Sequence, residues 1–186
     1  MVRESGMESV TARGLSQRLN ASTKVIFGLF RDMSEVKESI LTAAGEYYLA
    51  YQKRETAQTP YPLYKASGMA YIKFAWEEKM LFRLLFMRNR ENEPERTNDE
   101  FLNTPLKMLM EKTGLSREKA LLMHTETWFF VHGIAATYAT NYLRPDEEHT
   151  SAMLTDVFQG ILTRFAAQKN EGNNGSHSNH ESDQTL

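Results

Sequence analysis

Apolar side chains recur at spacings of three and four residues along most of the chain, and no stretch alternates apolar with polar, so the pattern predicts an all-α fold without strands or internal repeats. The stretch from Ser9 to Arg31 divides into two short helices joined by a tight turn. Thr11 stands where an N-cap is needed, ahead of Ala12, Leu15 and Leu19 at helical spacing. Asn20-Ala21 makes the corner, because asparagine tolerates a left-handed backbone, and Ser22 is placed to cap the next helix by accepting a bond from its unpaired N–H groups. In that helix Thr23, Lys24 and Gly28 share one side, while Val25, Ile26, Leu29 and Phe30 are expected to turn toward a core. Asp32-Met33-Ser34-Glu35 has the form of a capping box, an acidic cap with glutamate three residues on, so a further helix starts there.

That helix is expected from Met33 to about Arg54, with Val36, Ile40, Ala43, Ala44, Tyr47 and Tyr51 inward. Pro60 and Pro62 interrupt the pattern, since two prolines so close cannot sit inside a helix. A new helix from near Pro62 carries Met69, Ile72 and Phe74 to Trp76; a short one beyond Glu77-Glu78 carries Met80, Leu81, Leu84, Leu85 and Met87. Eight charged side chains and Pro94 between residues 88 and 100 predict a solvated loop. Asp99 to Thr113 reads as a helix closed by Gly114, with Phe101, Leu102, Leu106, Leu109 and Met110 inward. Ser116 opens the longest helix, expected to reach about Tyr142 before Pro145, and residues 146–168 form the last, with Leu154, Val157, Phe158, Ile161, Leu162 and Phe165 on one face. Residues 170–186 hold almost nothing apolar and are expected to be a disordered tail. The division is therefore a helical head at 1–45, a larger helical bundle at 46–169 and the tail.

At 186 residues both helical parts have enough chain to bury a core. The chain has no cysteine, which removes disulfides and thiolate metal sites and suits a reducing cytoplasm, where the protein is expected to reside. No secretory signal is visible at the N-terminus, and no apolar run reaches membrane-spanning length: the longest, Trp128 to Leu143, is interrupted by His132, Thr137, Thr140 and Asn141. Net charge is −2, so a nucleic-acid footprint has to be local. Ser9 to Arg31 supplies one, with four basic residues and no acidic one.

Two capped helices around a tight turn are the outline of a helix-turn-helix, the unit that sets its second helix in a DNA major groove. The stretch resembles the DNA-binding end of TetR-family transcriptional repressors, matching Thr11 to Leu19 as the first helix, Asn20 to Ser22 as the turn, Thr23 to Phe30 as the recognition helix and Asp32 onward as the next. Asn20 replaces the family's turn glycine, Phe27 its usual tyrosine and Met33 a frequent lysine. Further on, Trp128-Phe-Phe-Val-His132-Gly133 resembles the W-x-x-x-H-G pattern of one TetR ligand-domain subgroup, and Tyr64 to Tyr71 and Glu77 to Phe86 are similar to its earlier helices. In the family a full helix precedes the helix-turn-helix. Here Met1 to Gly6 leave room for about one turn, so the first helix is expected to be truncated, either because a segment lies upstream or because this head is only partly stable.

The DNA-contact candidates are Thr11, Arg13, Ser22, Thr23, Lys24, Phe27, Gly28 and Arg31: Lys24 as the only long donor on the recognition helix, Thr23 for a thymine methyl, Gly28 for close backbone approach, the others for phosphates. Ligand candidates are Met69, Phe74, Phe86, Met108, Met123, His124, Trp128 and His132, a set of apolar and aromatic side chains with a few polar tips; the same spacings also suit plain core. A metal at His124, Glu126 and His132 is disfavoured by the lack of any HExxH pair or cysteine, and no cofactor is expected. Small residues Gly133, Ala136, Thr137 and Thr140, with Val157, Ile161 and Phe165 on the last helix, allow close helix packing; the resemblance implies a four-helix homodimer interface there. It further implies a non-enzymatic repressor of a double-stranded DNA operator, released by an unknown small-molecule effector. The competing reading is a helical ligand- or partner-binding protein that has lost DNA binding through N-terminal truncation.

Overall fold

A computed structural model describes residues 1–91, 99–143 and 146–174, so most of the expected charged loop and the tail from 175 lie outside the described residues. Every described element is helical, and the chain divides into two compact units. One comprises Met1–Thr97 and Val131–Pro145, the other Asn98–Phe130 and Asp146–Leu186.

The first unit opens with a single turn, α1 (Val2–Ser5), and a 3₁₀ turn at Met7–Ser9. Then come α2 (Ala12–Leu19), α3 (Thr23–Leu29), α4 (Met33–Ala57), α5 (Leu63–Glu77) and α6 (Lys79–Phe86). Local hydrogen bonding sets the first boundaries. The Thr11 hydroxyl accepts the Gly14 N–H at 3.0 Å. Asn20 ends α2 in the left-handed region (φ 52°, ψ 40°), its N–H bonding the Gln17 carbonyl at 3.4 Å while the Ala21 N–H reaches that of Ser16 at 3.1 Å, the paired closure of a Schellman motif. Ser22 precedes α3, but its hydroxyl caps nothing; the Val25 N–H bonds its carbonyl instead, at 3.0 Å. Asp32 accepts the Glu35 N–H at 3.0 Å, and Glu35 reaches back to the N–H of Arg31 at 2.6 Å, one residue upstream of the usual capping-box partner.

Ile26 packs with Val10 and Val36 into a small core edged by Val2, Met7, Leu15, Phe30, Met33 and Ile40. Val25 and Leu29 do not join it: they are 54% and 76% exposed, and Leu19 also faces outward. A seven-residue helix has one narrow inward stripe. Ile26 fills it, Val25 lies about 100° round the helix from Ile26, and Phe30, in extended backbone just after the helix, takes the inward place expected of Leu29. Below this head, α4 runs to Ala57, three residues past the expected Arg54, and buries Val36, Ala44 and Tyr51. It is tied to α5 by hydrogen bonds from the Tyr51 hydroxyl to Glu77 at 2.6 Å and from Lys73 to Glu55 at 2.6 Å.

In the second unit lie α7 (Asp99–Thr113), the first part of α8 (Arg117–Ala139) and α9 (Glu147–Asn174). Gly114, at φ +69°, closes α7 through its N–H to Met110 at 2.9 Å. Leu106 and Leu109 are buried as the periodicity requires, while Met110 faces solvent. Both carboxylate oxygens of Glu126 on α8 accept from the same nitrogen, Nη2 of Arg164 on α9, at 2.9 and 2.8 Å. Asp146 caps α9 by accepting the His149 N–H at 2.8 Å. That helix continues to Asn174, beyond the expected end at 168 and into the first residues assigned to the tail, Ala166-Ala167 favouring its propagation. Helix α8 stops three residues short of Tyr142 because Asn141 (φ 57°) repeats the closure used by Asn20, with Asn141 bonding Tyr138 at 3.2 Å and Tyr142 bonding Thr137 at 2.9 Å. No described helix is long and apolar enough to cross a membrane.

Candidate functional site

On the head, Thr11, Arg13, Ser22, Thr23, Lys24, Phe27, Gly28 and Arg31 are all exposed. Two cations of this region have intramolecular partners. Arg18 is held by Glu4 of α1, at 2.8 and 3.3 Å, and Arg31 lies 3.4 Å from Asp32. The sequence could not place Glu4 there, since it lies fourteen residues from Arg18. Arg13 and Lys24 therefore carry the positive character of the outer face, reinforced by the N–H groups at the start of α2 and by the absence of acidic residues from Ser9 to Arg31.

The head is fastened to the helices behind it by a second ion pair. Arg3 of α1 meets Glu78, at the α5–α6 corner, at 2.9 Å; the Tyr47 hydroxyl of α4 donates to the same carboxylate oxygen at 2.9 Å, and the Arg3 guanidinium lies 4.5 Å from the centre of the Tyr47 ring. Burial, with the Glu78 bond adding to it, pushes the Tyr47 phenol above its ordinary pKa. The approach is close: Gly6 sits at φ +75°, and a Cβ there would lie 2.8 Å from the methyl of Met80 on α6. None of these contacts has a signal in sequence periodicity.

Within the same unit, Phe74, Phe86 and His132 come together around Tyr48, Tyr71 and Phe82. Ring centres are 4.9 Å apart for Tyr71–Phe86, 5.0 Å for Tyr48–Phe74 and Tyr48–Phe86, and 5.1 Å for Phe82–Phe86. The His132 ring stacks near Phe82, 5.9 Å away at 26°, and its Nδ1 is 2.9 Å from the Tyr71 hydroxyl. Burial holds the His132 pKa below its ordinary value and pushes those of Tyr71 and Tyr48 up, so all three rings are neutral near pH 7, and the phenol of Tyr71 can donate to Nδ1. Gln52 donates to the Tyr48 hydroxyl at 2.8 Å. Tyr48 and Gln52 were not among the sequence candidates; their i, i+4 placement of a ring and an amide on α4 is the signal that points to them. Met69 is half-buried in this unit.

The other ligand candidates lie in the second unit: Met123 is fully buried, Met108 and His124 half-buried, and Trp128 is 40% exposed beside Phe129 at 64%, ring centres 5.3 Å apart. Helix α8 is apolar nearly all round, so spacing could not decide which way Trp128 would point. Of the proposed subunit contacts, Gly133 and Thr140 are exposed, Ala136, Thr137, Val157 and Ile161 half-buried, and Phe165 is buried.

Residues 64–164 match the family model described as the tetracyclin repressor-like C-terminal domain. The chain belongs to the TetR family. The match runs from α5 into α9 and takes in Tyr71, Phe74, Phe82, Phe86, His124, Trp128 and His132. A search of curated proteins returns no match. As a TetR-family regulator the protein carries this matched domain C-terminal to α2 and α3, the two short helices joined at the left-handed Asn20.

The lowered pKa values of His124 and His132 have a measurable consequence. An unfolded chain takes up protons near pH 6.5, before the folded one does, so stability is expected to be flat above that pH and to fall as pH drops through the lowered folded values. The carboxylates with depressed pKa, Glu4, Asp32, Glu55 and Asp146, begin to act only below about pH 4.5. Urea midpoints between about pH 7.5 and 5 should therefore decline in the wild type and decline less in His132→Gln; a wild-type midpoint independent of pH over that range would contradict it.

Proposed function

We propose that this TetR-family protein is a ligand-responsive, sequence-specific DNA-binding transcriptional regulator, a homodimeric repressor released from its operator by a small apolar or amphipathic effector. The observation that carries the reading is the head: two short helices joined by a turn, α2 fixed at its ends by Thr11 and Asn20 and α3 followed at once by α4 with its Asp32 cap, with Arg13, Thr23, Lys24 and Gly28 exposed on the outside. A dimer would set two such helices in successive major grooves, about 34–36 Å apart. The exposed Leu122 and Phe129 of α8, with half-buried Val157 and Ile161 of α9, offer apolar surface for a second copy, and the low surface at Gly133 lets a helix approach.

Effector sensing is assigned to the matched domain. The aromatic group around Tyr71 and His132 has a donor and acceptor among apolar rings, the composition of a site for a planar amphipathic molecule. The Arg3–Glu78–Tyr47 contact would pass a shift of the α5–α6 corner to α1, giving the two states of the head that a ligand must bind with different affinity.

Fluorescence anisotropy on a genome-derived operator tests the central claim. Lys24→Ala is expected to weaken specific binding by about 1–3 kcal/mol if the ammonium bonds a base, and to reduce the salt slope by about 1 if it bonds a phosphate. Wild-type protein whose affinity for every duplex is indifferent to salt would overturn the DNA-binding reading.

A further inference from the structure

On α3, residues advance by about 100° each, and Ile26 points inward. Lys24 and Gly28 then straddle the direction away from the core, with Val25 flanking on the Gly28 side and Phe27 on the Lys24 side; Leu29 follows Val25 one turn on. A Cβ built at Gly28 would meet no atom of the protein, while Val25 and Leu29 stand exposed. The outermost surface of the helix is thus one ammonium and a bare stretch of backbone, with an exposed branched apolar patch on the flank beside Gly28. Lys24 is the one charged base reader on α3, with the short Thr23 hydroxyl beside it.

Apolar side chains so placed are costly in water and make poor phosphate contacts. In a major groove they have one partner of matching chemistry, the C5-methyl group of thymine. The surrounding cations Arg13 and Lys24, with no acidic residue from Ser9 to Arg31, favour nucleic acid over an apolar protein partner on this face. We infer that Val25, supported by Leu29, reads a thymine methyl beside the base pair contacted by Lys24, so each operator half-site is selected by a methyl contact in addition to a hydrogen bond. This rests on the DNA-binding reading above and adds the chemistry of the base recognised.

The test uses the full chain and a random-sequence duplex pool. Bound duplexes should enrich a half-site with one invariant thymine next to the position whose identity changes in Lys24→Ala. Replacing that thymine by deoxyuridine, which pairs identically but lacks the methyl, should weaken binding about 3- to 5-fold, the worth of one buried methyl group. With Val25→Ala, an exposed position whose truncation leaves the core intact, the thymine and deoxyuridine sites should bind alike, the non-additivity expected of a direct contact. If every thymine in the enriched site can be replaced without loss, the methyl readout is wrong while DNA binding stands. If no sequence is enriched and no binding depends on salt, both readings fall together.

Discussion

Phe82→Ala is expected to cost about 3–5 kcal/mol of unfolding free energy, the range for a buried phenylalanine whose surroundings relax only in part. Phe82 is fully buried and touches the rings that define the aromatic group, with centres 5.3 Å from Tyr71, 5.1 Å from Phe86 and 5.9 Å from His132. Truncation leaves an apolar hole with the Tyr71–His132 hydrogen bond at its edge, and apolar holes of this kind take up small aromatic molecules. Phenol, with one polar tip, should recover part of the loss in proportion to RT ln(1 + [L]/Kd), seen as a concentration-dependent rise in melting temperature. Phe86→Ala should cost less, because that ring is only half-buried. These two variants separate rigid core from adaptable pocket: a Phe82→Ala loss below about 1 kcal/mol would mean that the rings repack easily, and the group could not then be a preformed site.

Where the sequence was readable, the cause was local. Thr11, Asn20, Asp32 and Gly114 act on backbone groups within a few residues, so their chemistry appears in the order of side chains, and each ends or starts a helix where that chemistry requires. Asn141 obeys the same rule and closes α8 before Pro145, so the expected end near Tyr142 lies three residues too late. Orientation was harder to read. Val25, Ile26, Phe27, Leu29 and Phe30 fall within six residues along α3 and its C-cap, and an apolar run on every side does not say which stripe the neighbouring helices will cover. Only Ile26 and Phe30 found partners. The same holds for α8, where Met123 is buried and Trp128 and Phe129 face out. Contacts between distant segments, Arg18 with Glu4, Arg3 with Glu78 and Tyr71 with His132, depend on tertiary placement and leave no periodic trace.

The head should prove the most fragile part of the molecule, and Ile26→Ala is the variant that exposes this. Three buried side chains, Val10, Ile26 and Val36, hold α2 and α3 in place, and a seven-residue helix has almost no stability of its own. Removing the Ile26 side chain beyond Cβ should cost about 2–5 kcal/mol locally. Where that exceeds the local stability of the head, the binding-competent fraction drops and the apparent Kd rises by the reciprocal of that fraction, roughly 10- to 100-fold. Hydrogen exchange should show the amides of α2 and α3 losing protection while those of α5 and α6 keep theirs. Lys24→Ala makes the contrast: affinity falls with exchange unchanged, because an exposed side chain is removed from an intact fold. Normal operator affinity in Ile26→Ala would show that the inward stripe of α3 does not hold the recognition surface in position, and with it the assignment of Val25 and Lys24 to the outer face would lose its structural basis.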